Sequence, residues 1–147
     1  MKKPKIFVER GGLRDSVPHF VTGWIFPGVE ALGPETFDPE YLIPYLLPKQ
    51  MEGGRVKGVQ VLNHLEETVI IRRTMNFDEG RAMIKQGIPD AFRGKHLLLW
   101  RSAAHDNFGN QFVPRIQNIE GQTPVIYWHW LEYDLFSVHS APLFAEQ

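Results

Sequence analysis

Four histidines fall in the second half of the chain, His96, His105, His129 and His139, and Asp106, Glu132 and Asp134 lie near them in sequence. Imidazole and carboxylate are standard donors to zinc and iron. The spacing argues against a metal centre. On a strand, His129 and Glu132 point to opposite faces, and no His-x-His, His-x-Asp or His-Glu-x-x-His grouping occurs. No metal ligand and no cofactor is assigned. His105-Asp106 is the best pair for acid and base work, because a loop imidazole titrates near neutrality. The nucleophile beside it would have to be Ser102, Ser137 or Ser140, yet the chain has no Gly-x-Ser-x-Gly elbow. No catalytic residue is assigned either.

Two glycine-rich segments resemble phosphate cradles in composition, Arg10-Gly11-Gly12-Leu13-Arg14 and Gly53-Gly54-Arg55-Val56-Lys57-Gly58. Glycine permits close backbone approach and arginine pairs with oxyanions, but neither segment follows a Walker or dinucleotide pattern, so both read as turns. Arg72 and Arg73 divide between the two faces of an expected strand and form no basic stripe. An aromatic set near the C-terminus is the alternative site. Trp100, Trp128, His129 and Trp130 offer rings for buried area and polar tips for orientation, the mixture a ligand pocket needs.

These side chains must be placed by their elements. The first 54 residues hold seven of the eleven prolines, at 4, 18, 27, 34, 39, 44 and 48, each fixing φ and removing a backbone donor. Short apolar pieces between them, Ile6 to Val8 and His19 to Phe26, read as edge strands or extended cover. Asp38 can cap a helical turn with Pro39 at its first position. Such a segment can lie over its own core or reach a neighbour as an arm, with Tyr41, Leu42, Tyr45 and Leu46 as anchors.

From Arg55 onward the pattern is denser. Arg55 to Leu62 and the β-branched run Thr68 to Met75 read as strands joined by a hairpin turn at Asn63 to Glu67. Asn76 with Glu79 three residues on makes a capping box for a short amphipathic helix over Asp78 to Gln86, stopped by Gly87 and Pro89. Lys95 to Arg101 is apolar on both faces, which suits a central strand. Gln111 to Ile119 carries Pro114 and belongs at an edge or bulge. Val125 to His139 is the strongest strand signal, long enough to bend once.

The expected fold class is therefore α+β. It is a mostly antiparallel β-sheet, as a sandwich or partly open barrel, with one short packed helix and an extended proline-rich N-terminal segment. Residues 1–147 form one domain, in which 1–54 are the segment or arm and 55–147 the β-rich core. Sixteen basic against seventeen acidic residues give a formal charge of −1 and no cationic field for a polyphosphate, which disfavours nucleic acid. The chain has no cysteine, hence no disulfide or thiolate site. Its apolar runs are too short for a signal peptide core or a membrane helix, so a cytoplasmic or virion location is expected. With 12% aromatic residues and no catalytic spacing, the function expected is a non-enzymatic structural or interaction protein. It would be a subunit of a larger assembly such as a virion or multiprotein complex, bound to a protein partner or to its own copies. The alternative is a small-ligand-binding or hydrolytic domain.

Overall fold

The computed structural model describes residues 5–10 and 17–145. Along the chain run β1 (Ile6–Phe7), β2 (Gly23–Trp24), α1 (Pro27–Glu30), β3 (Thr36–Phe37), β4 (Ile43–Tyr45), α2 (Pro48–Met51), β5 (Val56–Lys57), α3 (Gly58–Glu67) and α4 (Phe77–Gln86). Then follow β6 (His96–Leu98), β7 (Ala104–His105), β8 (Gln111–Gln117), β9 (Val125–Trp130), β10 (Asp134–Leu135) and β11 (His139–Leu143). Short 3-10 turns join several of them.

The architecture is mixed α and β around an extensive, mostly antiparallel sheet. Seven strands share it, in the order β2, β7, β8, β6, β11, β4, with β9 on the other side of β8. The pair β6 and β11 alone in that sheet is parallel, bringing His96 opposite His139. β6 and β7 lie along one edge of β8 as two halves of a strand, interrupted by the 3-10 turn Trp100–Ser102.

Alternation along β6 explains why both faces are covered. Leu98 joins Val113 and the α3 residues Val61, Leu62 and Leu65 in one core cluster. Leu97 and Leu99 join Ile116 and the α4 residues Ala82 and Met83 in the other. A sheet buried on both faces needs apolar side chains at successive positions, which is the pattern Leu97-Leu98-Leu99 provides. The sequence expectation of a central strand here is met over His96–Leu98, with the turn replacing strand from Trp100.

Two expected strands are helical instead. Arg55 to Leu62 is strand only over Val56–Lys57, after which α3 runs through the supposed hairpin turn. The Lys57 amide donates to the Gln60 side chain at 2.9 Å, and Val61, Leu62 and Leu65 recur at helical spacing on the buried side. Gly58 is required there, because any Cβ would strike the backbone of Leu131. Thr68 to Met75 becomes a helix end and a 3-10 turn, Ile70–Arg73, and only Thr74 touches a strand, bridging Leu143. Val69 takes the left-handed conformation (φ 63°) that stops α3, a position normally given to glycine or asparagine. A β-branched residue there hides the helix end from sequence inspection and is strained.

The proline-rich start is part of this fold. β2 extends one end of the sheet, β4 the other, and β1 pairs with β3 over the α4 side. Val125 to His139 divides into β9, a turn, β10 and the start of β11. Gln50 of α2 fixes that last bend, donating to the carbonyls of Phe136 and His139.

Because Val69 is 58% exposed, its strain can be removed without disturbing the core. Val69→Asn is expected to raise stability by about 1 kcal/mol, a few degrees in melting temperature. Thermal unfolding followed by circular dichroism checks it; an unchanged or lower midpoint would contradict the strained cap.

Candidate functional site

The N-terminus of α4 holds a buried polar network. The capping box expected at Asn76 is formed: the Glu79 amide donates to Asn76 Oδ1 and the Asn76 amide to Glu79 Oε1, each at 2.9 Å. Sequence reasoning did not reveal that Glu79 is fully buried and also accepts from Arg10 at 2.8 Å and Arg101 at 2.9 Å. Arg101, 2% exposed, further donates to the carbonyls of Thr74 and Leu32. The Ser102 hydroxyl donates to Glu30 Oε1 at 2.9 Å, while Ser102 Oγ accepts from the Phe77 amide. Burial raises the Glu30 carboxyl above its ordinary value, opposed by that hydrogen bond. Ser102 Oγ both donates and accepts here, so Ser102 is a structural link and not a free nucleophile.

Beside this network opens a cavity of about 960 Å³. Its apolar wall includes Val29, Leu32, Phe37, Leu42 and Phe144, and its charged wall Lys5, Arg72, Arg73, Arg101 and Asp38. The 3-10 turn after α3 supplies Arg72 and Arg73, anchored by the Arg73 side chain donating to the Phe144 carbonyl at 2.9 Å. An expected strand would have sent the two arginines to opposite faces; the turn puts both on one cavity.

Three of the four C-terminal histidines do meet. His96 and His139 stack with ring centroids 5.2 Å apart, and His129 lies 5.9 Å from His139. Parallel pairing of β6 and β11 makes this contact, which linear spacing could not disclose. His96 and His139 stack at 27° while His129 is tilted at 49° to His139, and among the described residues no group of three such side chains is arranged to hold an ion. Arg115 contacts His129 Nδ1 at 3.3 Å and lies over the Tyr127 ring. Burial lowers His129 and His139 to about 4, reinforced by the Arg115 charge and by the other imidazoles. His96 is lowered too, by burial and then by the Arg115 charge.

The remaining candidates are scattered. Asp106 ties its own loop through the amides of Phe108 and Asn110, and the His105 ring contacts the Asp106 backbone carbonyl and packs on Gly23. Ser140 is buried and Ser137 exposed. Trp100 is core, Trp128 stacks between Trp24 and Phe77, and Trp130 is half exposed beside Tyr133. His129 occupies the opposite face of β9 from both tryptophans. The four are therefore not brought into one pocket. Of the proposed anchors, Leu42 is buried in the chain's own core and Tyr45 packs on it, Leu46 is half-buried, and Tyr41 is exposed. Arg10 lies in the network; the rest of its glycine segment, 11–14, is outside the described residues.

The outer edge of β9 is the other distinctive surface. Pro114 faces Trp128 in the register, and its carbonyl accepts from Leu99 on the β6 side. Ladder parity then turns the Ile126 and Trp128 backbone groups away from β8. Among the described residues no strand pairs with them. Tyr127 is 50%, Tyr133 60% and Phe136 45% exposed along and after this edge.

No helix among the described residues is long and apolar enough to cross a membrane. Comparison with protein-family models, curated proteins and solved structures finds no match.

Two outcomes test this chemistry. Arg101→Met removes one partner of the fully buried Glu79, and is expected to destabilise the fold by roughly 3–5 kcal/mol in chemical denaturation. The histidines give a pH dependence with a fixed sign. Unfolded imidazoles protonate near 6.5 and the folded His129 and His139 near 4. Stability is thus full above about pH 6.5 and falls progressively as pH drops towards 4. His129→Gln should flatten that fall; an identical profile would exclude His129 as its source.

Proposed function

We propose that the chain is a non-enzymatic structural or interaction protein that works as a subunit of a larger protein assembly, with β9 as its docking edge. The observation that carries this reading is the bare edge itself. An uncapped strand edge offers donors and acceptors to any incoming strand, and proteins ordinarily blunt such edges with prolines, charges or brevity. β2 is two residues long, and β4 carries Pro44, opposed to Pro142 so that its missing N–H lies on the outer side. β9 has six residues, Val125-Ile126-Tyr127-Trp128-His129-Trp130, with no proline, lysine or carboxylate. Exposed rings flank it, as anchors at protein interfaces do.

The occupant favoured is a second copy of the chain, adding β9 to β9 in antiparallel fashion about a two-fold axis. With a formal charge of −1, copies meet little long-range repulsion. Enzymatic readings have less support, since the serines, His105 and Asp106 are not assembled with one another.

Sedimentation equilibrium over a wide concentration range tests this. The wild type is expected to associate reversibly, and Val125→Lys combined with Tyr127→Glu to weaken association about tenfold or more, equivalent to about 1.4 kcal/mol. Both side chains are well exposed, so the melting temperature should change little. A wild type that stays monomeric throughout, or association indifferent to these charges, would overturn β9 self-pairing.

A further inference from the structure

We infer that the cavity beside the Glu79 network is a binding site for a small organic anion with an apolar body, a carboxylate on an aliphatic or aromatic frame. Volume is the first ground. At about 960 Å³ the cavity is at the upper end of the range for small-molecule sites and far exceeds a packing defect. Its wall chemistry is the second. Among the described residues, Val29, Leu32, Phe37, Leu42 and Phe144 make an apolar floor, and the charged lining is Lys5, Arg72, Arg73, Arg101 and Asp38, with Arg101 paired to Glu79 and Arg73 bound to the Phe144 carbonyl. Asp38 is already engaged, its carboxylate accepting the Glu40 amide at 3.0 Å.

The third ground is where an anion would meet its donors. Arg101 is spent on Glu79, Thr74 and Leu32, and its Nε is closed off from the open space, so the contacts fall to the exposed Lys5 and Arg72. A ligand carboxylate offers four lone pairs and suits guanidinium geometry. Arg72 is exposed at the mouth, on the same turn as Arg73, where it can attract and hold the anion. A phosphodiester polymer fits less well, because the cations border a half-open pocket with an apolar floor and not an extended stripe.

The site is separate from the β9 edge: none of the residues of β9 lines the cavity. This makes the two readings experimentally distinct. The probe is 1-anilinonaphthalene-8-sulfonate, an aromatic anion, titrated into the full chain and followed by fluorescence. Saturable binding at one site per chain is expected, with displacement by decanoate about tenfold stronger than by the neutral decanol. Arg72→Glu should weaken both anions about tenfold with an unchanged melting temperature, since this side chain is exposed. Leu32→Trp, which fills the wall from a position 61% exposed, should reduce the number of sites without unfolding the protein. The Val125→Lys, Tyr127→Glu variant should bind as the wild type does. Absence of saturable binding, equal displacement by decanol, or binding lost in the β9 variant and retained in Arg72→Glu would each overturn the inference.

Discussion

The Glu79 carboxylate is the point on which the structure turns. It is fully buried at the start of α4, and a buried carboxylate is tolerated only where donors replace the water it has lost. Arg10 comes from the N-terminal layer, Arg101 from the turn after β6, and the Asn76 amide from α4 itself. Three separate parts of the chain are thereby held to one group. Gly33 passes over this cluster at φ 148°, and a side chain there would collide with Glu79, Arg10 and Arg101 together.

The same cluster explains how a segment rich in proline is fastened. Prolines remove backbone donors but leave every carbonyl in need of a partner. Arginine and asparagine side chains provide it: Arg101 reaches the Leu32 carbonyl, Arg10 that of Pro34 at 2.6 Å, and Asn76 that of Glu30 at 2.9 Å. Side-chain donors thus do for residues 30–34 what a ladder would do elsewhere. The break between β6 and β7 is part of this device. A 3-10 turn puts Trp100 into one core cluster while Arg101 and Ser102 enter the network, which an uninterrupted strand could not do at adjacent positions.

What the sequence disclosed followed from local rules. Asn76 and Glu79 announced a helix start because the capping box is a contact over three residues, and Leu97 to Leu99 announced a central strand because apolar alternation reports burial on both faces. α3 was obscured by its valines and by Gly58, which looked like strand and turn although Val61, Leu62 and Leu65 already recurred at helical spacing. The cap at Val69 gave no warning, since propensity assigns that backbone to glycine. Nothing local could show Glu79 meeting arginines 69 and 22 residues away, or His96 meeting His139 through a parallel pairing. The cavity was illegible for the same reason, its charged and apolar walls coming from five stretches of chain.

Where the sequence signal was strongest, it described the least satisfied element. Val125 to Trp130 is β-branched and aromatic at nearly every position, a composition that fits a strand closed in by neighbours. Among the described residues, β8 pairs with one of its edges and no strand with the other. The other sheet ends are defended, β2 by its brevity and β4 by Pro44, so the fold does protect edges where the sequence can accommodate it. Strand chemistry optimised for pairing on two sides, placed where one side is open, is a mismatch between local preference and tertiary environment. Such mismatches concentrate where a protein meets something else, and a neighbouring strand is the occupant whose backbone would complete this one.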